Sequence, residues 1–310
     1  MKGSSLRPSR WPHAGDIALW LATGLATLLV LVILAVILID VVKNGAPRLT
    51  LGFLTKVPSE GMTAGGIFPA IFGTVALVIL MTIAALPAGV ATAIYLHEYA
   101  RPTAIGTRMV RIAVNNLAGV PSIVFGLFGL GFFVQFVGGG MDKIFYGGDK
   151  VFGQPALVWA ALTMAILTLP VVIVATEEAL SNVSPDVRLA SAALGATKFQ
   201  TIARVVLPQA VPGILTGAIL AISRGAGEVA PILFTGAAYF LPTLPHTQHD
   251  QFMQLGYHVY VLATQSPDVD ATRPILYATV LVLLALTFAL NASAILVRSR
   301  MRRRLSRAHG

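Results

Sequence analysis

The sequence contains no cysteine. Disulfides, thiolate chemistry and cysteine-ligated zinc are therefore excluded. Charge is also scarce: 11% of the 310 residues are Asp, Glu, Lys or Arg, against roughly a quarter in soluble domains. That excludes a soluble globular domain. No Gly-x4-Gly-Lys-Ser/Thr phosphate loop is present, so the chain cannot hydrolyse ATP by itself in the usual way. No Ser-His-Asp set or paired carboxylates stand out, and no catalytic residue is assigned. There is no internal repeat.

What is present is apolar: 56% of residues are hydrophobic. Six runs of about 20 or more residues are long enough to span a bilayer, at about 17–39, 67–95, 109–137, 155–176, 211–237 and 274–297. The first run exceeds the ~7–15 residues of a secretory signal and lacks a small-residue cleavage site, so it reads as a retained span. Bends are expected at Pro87 and Pro170. The fold class is all-α, a polytopic membrane protein with about six transmembrane helices. The domain boundaries are an amino-terminal tail (1–15), a membrane domain (16–297) containing an elbow (177–208), and a basic tail (298–310).

Net charge is +9. Lys2, Arg7 and Arg10 precede the first run, Arg101, Arg108 and Arg111 lie between the second and third, and Arg298 to Arg307 follow the last. Basic residues on cytoplasmic loops orient membrane proteins. Both termini, the 101–111 loop and the elbow are thus placed in the cytoplasm. No aromatics interleave these arginines, so nucleic acid is not a partner.

The elbow has its own punctuation. Ser184, Pro185 and Asp186 form a helix start. Gly195 stands where a helix end takes a left-handed residue, and Thr197 with Gln200 forms a second capping box. Pro208 is read as closing the second helix. The small residues Ala190, Ser191, Ala192, Ala193 and Gly195 leave a thin helix suited to a partner's groove, with Lys198 and Arg204 on the exposed face of the second segment. An interfacial helix lying on lipid is the alternative. Gly213 and Gly217 form a helix-packing pair.

Arg224 and Glu228 lie four apart in the fifth run, on one helical face. Arg224 is ~21 Å into the span at helical rise, past the midplane. A charge in lipid is costly, so the pair must face protein or water. It is either an ion pair that fixes packing or a cationic station for a passing anion. Asn115, Asn116 and Ser122 in the third run either line the same pathway or bond neighbouring helices. Thr163, Thr168 and Thr176 are packing residues, and Gly126, Gly129 and Gly131 admit a close neighbour. His246, His249 and His258 with Asp250 read as solvated loop residues, giving no metal site.

The spacing Ala190, Gly195, Val205, Leu207, Pro208 resembles the cytoplasmic "EAA" loop of ABC importer permeases. Leu189 and Ser191 depart from its Glu and second Ala. Residues 119–126, 177–180, 215–217, 224–228 and 230–231 resemble the phosphate-specific permeases of the PstA type. The resemblance implies a type I ABC importer permease fold in a bacterial cytoplasmic membrane. It implies phosphate as substrate and Arg224 and Glu228 as pathway residues. Ala190, Ser191, Gly195, Val205, Leu207 and Pro208 would couple to ATPase subunits of the PstB type. The remaining implied partners are a homologous PstC-type permease and an extracytoplasmic PstS-type binding protein. No cofactor is expected on this chain, since ATP and magnesium belong to the partner subunits. The alternatives are a permease for sulfate or molybdate, and a proton-coupled secondary carrier using Glu228.

Overall fold

The structure, a computed structural model, describes residues 14–266 and 268–308. Lys2, Arg7 and Arg10 lie outside the described residues, as do the side chains of Arg302, Arg303, Arg304 and Arg307. Among the described residues, six helices are long and apolar enough to cross a membrane. Span one is Ala14–Gly45, span two Phe68–Ile94, span four Leu157–Ser181, span five Leu207–Gly227 and span six Val269–Ala308. Span three starts as Ser122–Phe128 and continues through the π-helical stretch Gly129–Gly138 into Gly139–Phe145.

Span three is shorter than its apolar run suggested. A separate helix, Ile105–Leu117, carries Arg108, Arg111, Asn115 and Asn116. Its polar content suits a membrane edge, not lipid depth. The chain breaks before Pro121, whose ring disfavours helical geometry in the residue preceding it.

Small residues bring the central spans together. A Cβ on Gly213 would stand 2.4 Å from the Ala179 Cβ, and one on Gly217 2.7 Å from the Ala175 Cβ. Span five therefore lies backbone to backbone on span four, as the glycine spacing indicated. Gly126 and Gly129 meet Ala230, Pro231 and Thr235 in the same way, whereas Gly131 faces open space. Thr163, Thr168 and Thr176 are fully buried on span four. Pro87 and Pro170 lie inside unbroken helices.

Span five ends early. Its helix stops at Gly227, where Glu228 turns extended with ψ 135°. Residues 229–236 continue as non-helical turns, including Ile232 N–H donating to the Val229 carbonyl over 3.2 Å. Irregular backbone at membrane depth is tolerated only where protein or a water-filled cavity covers it. Here it packs beneath Gly126 and Gly129 of span three.

The long segment after it is not a plain loop. It holds a helix, Leu255–Thr264, with Leu255, Val261 and Leu262 in a core shared with Phe53, Met62, Ile67 and Ile275. A two-stranded hairpin, Pro58–Ser59 with Ala64–Gly65, joins the same cap. The bundle thus has two unlike ends: a capped far end, and an end carrying the elbow.

Candidate functional site

At the elbow, local chemistry dictates local structure. The Ser184 hydroxyl accepts from the Asp186 N–H at 3.2 Å and starts Pro185–Ala193. Gly195 has φ +81°, a conformation that penalises a side chain. Its N–H reaches the Ala192 carbonyl at 2.9 Å and the Ala196 N–H reaches Ser191 at 3.2 Å, closing the helix end in a Schellman motif. The Thr197–Gln200 capping box then opens Lys198–Thr201.

Pro208 does not close that second helix. Lys198–Gly227 is one continuous helical run, with a π-turn at Ile202–Val206 just ahead of the proline. The Leu207 N–H bonds back to Ile202, five residues earlier. This wider turn shifts the hydrogen-bond register where proline has no N–H to give.

The elbow presents an apolar tip. Leu189, Leu194 and Phe199 are exposed, as are Ala190, Ala192, Ala193 and Gly195. Exposed apolar residues in such a group mark an interaction surface. Ser191 faces inward instead, its hydroxyl 2.9 Å from that of Thr201. Val206 is buried against Ala179, Leu180 and Val183, while Val205, Leu207 and Pro208 are half-buried beside it.

Lys198 is exposed, as expected, but its head group is engaged. Its ammonium donates to the Glu98 carbonyl and stands 5.0 Å over the Tyr99 ring. The lysine finds orphan carbonyls at the end of span two, which suit a cation. Arg204 is exposed as expected.

The second group lies at the end of span five. Arg224 Nε donates to Glu228 Oε1 at 3.4 Å. The side chains are 40% and 23% exposed in the isolated chain, so the pair is not buried within this chain. It lies on a face left open by the bundle. The neighbouring Gly225 packs on Met81, the central residue of span two, and on Met164 of span four. The pair therefore stands well inside the bundle's height.

Its electrostatics are nearly balanced. Arg224 occupies the last turn of a helix, where the macrodipole adds negative charge. Glu228 adds a full one. An anion approaching Arg224 competes with both, which makes a weak station. Conduction requires such a site, because a pathway must release what it binds.

Asn115 lines a cavity of about 410 Å³ with Glu178, Pro170 and Leu220, and Leu220 is one turn from Arg224. Asn116, also exposed, is not among the residues lining it. Ser122 is half-buried at the start of span three. Of the four polar residues and Glu228 assigned to the pathway, Asn115 alone lines that cavity; Arg224 lies one turn beyond its Leu220 wall.

The histidines divide. His246 is exposed, and Asp250 accepts from the backbone N–H groups of His246 and Thr247, both at 2.8 Å. Those bonds, the Thr247 one foremost, hold the Asp250 carboxyl below the usual range. His249 is half-buried, its ring edge-on to Phe152 at 4.1 Å. His258 is a buried residue of Leu255–Thr264, contrary to its reading as a solvated side chain. No group of three potential metal ligands occurs among the described residues.

Sequence reasoning missed two arrangements. Gln254 carried no signal within a segment read as a loop, yet it is fully buried against the end of span five. Glu98 and Arg188, ninety residues apart, form an ion pair at 3.0 Å. No local spacing announces such a pair.

Residues 85–303 match the family described as "Binding-protein-dependent transport system inner membrane component". The "Probable ABC transporter permease protein YqgI" of Bacillus subtilis is 32% identical, over 81% of this chain and 86% of that protein. The "Phosphate transport system permease protein PstA 1" of Mycobacterium tuberculosis is 35% identical, over 78% and 73%. The protein named "Phosphate transport system permease protein PstA" in Xylella fastidiosa is 31% identical, over 84% and 85%. Among solved structures, a chain of a bacterial alginate ABC transporter in complex with its periplasmic protein superposes with TM-score 0.65. It covers 90% of this chain and 93% of that one at 18% identity. A chain of the MetNI methionine ABC transporter gives TM-score 0.55 at 18% identity, covering 75% and 94%. At that identity the likeness concerns the fold.

Proposed function

The chain belongs to the family of binding-protein-dependent transport system inner membrane components, and from that premise we propose that it is the permease subunit of an ATP-driven phosphate importer. In this reading it forms part of the translocation pathway and leaves ATP hydrolysis to separate subunits. The observation that carries the reading is the Arg224–Glu228 pair. A permanently charged guanidinium with one counter-ion lies on an open face inside a six-span bundle, in a chain 35% identical to a phosphate permease.

The open face calls for a second membrane subunit, since a charged pair facing lipid is costly. A homologous permease of the PstC type fills that role. PstB-type ATPases would seat the tip formed by Leu189, Leu194 and Phe199, which places the elbow and both termini in the cytoplasm. A PstS-type binding protein would meet the capped far end and supply most of the anion selectivity. Closure of the ATPases would move the elbow, and the pathway would alternate around Arg224. Asn115 would line its elbow side.

The pairing of Glu228 with a fixed cation is that of a counter-ion and argues against a proton carrier. The test is uptake by vesicles containing the full assembly. We expect ATP-dependent phosphate uptake that sulfate and molybdate compete with poorly. Efficient competition by sulfate would defeat the phosphate reading. Uptake by this chain alone, driven by a proton gradient, would defeat the ATP-driven one.

A further inference from the structure

Span two does not stop cleanly at the elbow end. It widens into a π-turn, Tyr95–Tyr99, and three cations from three other elements converge there. Arg111, from Ile105–Leu117, donates to the Leu96 carbonyl at 3.1 Å and pairs with Glu177 of span four at 3.0 Å. Arg188, from Pro185–Ala193, pairs with the Glu98 carboxylate at 3.0 Å. Lys198, from Lys198–Thr201, holds the Glu98 carbonyl and covers Tyr99. A helix end supplies unpaired carbonyls and a negative pole, which accounts for the convergence.

We propose that this turn is the joint through which the elbow drives span two, with Glu98 and Arg188 as the positioning residues that transmit the movement. The inference rests on the coupling role proposed above for the elbow.

Three observations carry it. First, the Arg188 guanidinium ties three segments at once: it reaches Glu98 and donates to the carbonyls of Leu180 at 2.9 Å and Val183 at 2.5 Å. The end of span four, the elbow helix and the end of span two therefore share one rigid, planar fork. Second, Glu98 is only 10% exposed, so water is a poor substitute for its partner and the bond is directional. Third, span two continues from the joint past Pro87 to Met81. A Cβ on Gly225 would stand 2.5 Å from Met81 Sδ. Span two thus presses on the backbone beside Arg224. A shift of the elbow pulls span two at Glu98, and Met81 moves against the span that bears the guanidinium. The energetic link between elbow and span two has its own measurement.

That measurement is a double-mutant cycle in the full assembly. Arg188→Gln, Glu98→Gln and the double variant are compared for phosphate transported per ATP hydrolysed, with ATPase association scored by co-purification. We expect each single variant to keep its ATPase subunits and hydrolysis but lose transport per ATP by tenfold or more. The double variant should be no worse than either single one, because each acts through the other. Should Arg188→Gln not assemble, Glu98→Gln serves alone, since it leaves Arg188 its two carbonyl partners. Unchanged transport per ATP in Glu98→Gln, or losses that multiply in the double variant, would overturn the proposal. Failure of the phosphate reading would look different: the unaltered assembly itself would then move no phosphate.

Discussion

The Gln254 side-chain amide donates to the Ala226 carbonyl across 3.1 Å, and so closes a helix end that lies inside the bundle. The same side chain accepts from the Tyr257 N–H at 2.6 Å and starts the helix Leu255–Thr264. One buried amide therefore joins the end of span five, three residues from Arg224, to the cap at the far end. Gln254→Leu keeps the bulk but strands a buried carbonyl and a helix-start N–H. Each buried group left without a partner costs about 1–3 kcal/mol. The variant should unfold earlier in a detergent thermal melt, and Gln254→Glu should recover the helix start but not the Ala226 bond.

The position of Arg224 makes a prediction about charge. Arg224→Ala removes the guanidinium and leaves Glu228 alone on the open face. ATP-driven phosphate uptake should fall by tenfold or more while the assembly remains intact. Arg224→Lys keeps the charge without the planar fork and should retain part of the uptake. A merely structural pair would instead lose assembly in the alanine variant and leave residual uptake proportional to the protein recovered.

His258 predicts an acid sensitivity. Burial disfavours its imidazolium and holds its pKa down to about 4, from 6.5. The unfolded chain binds a proton near pH 6.5, the folded chain only near pH 4. Stability from this residue is complete above pH 6.5 and is lost as pH falls through that window, by up to about 3 kcal/mol. The melting temperature should drop between pH 6.5 and 4, and the drop should be smaller in His258→Leu.

Much of this architecture was legible in the sequence, for identifiable reasons. Six apolar runs are a composition signal that lipid makes nearly unambiguous. The Gly195 turn, the Ser184 start and the Thr197–Gln200 box were read correctly because each is decided by neighbours within a few residues. The Gly213–Gly217 contact was legible because small residues at that spacing have few other uses.

What was not legible depended on distant partners. The third run was read as one span, yet Pro121 separates a polar helix from it. The fifth run was read through to residue 237, whereas its helix stops at Gly227, because buried turns and Gln254 satisfy the backbone that a lipid-exposed break would strand. Pro208 was read as a terminator, but the π-turn before it makes room for the ring. Lys198 is exposed as read, but its partner, the Glu98 carbonyl a hundred residues away, carried no local signal. Asn115, Asn116 and Ser122 were placed on one span; the break at Pro121 puts Ser122 on a different helix from the two asparagines.

In the proposed mechanism the elbow is the part of this chain that an ATPase grips. The absence of native cysteine allows one introduced thiol to report on it. Phe199, 71% exposed at the tip, is the place for it. With Phe199→Cys, a membrane-impermeant maleimide should label inside-out vesicles but not intact cells, and bound ATPase subunits should protect the thiol. Labelling in intact cells, or labelling that the ATPase leaves unchanged, would contradict the account.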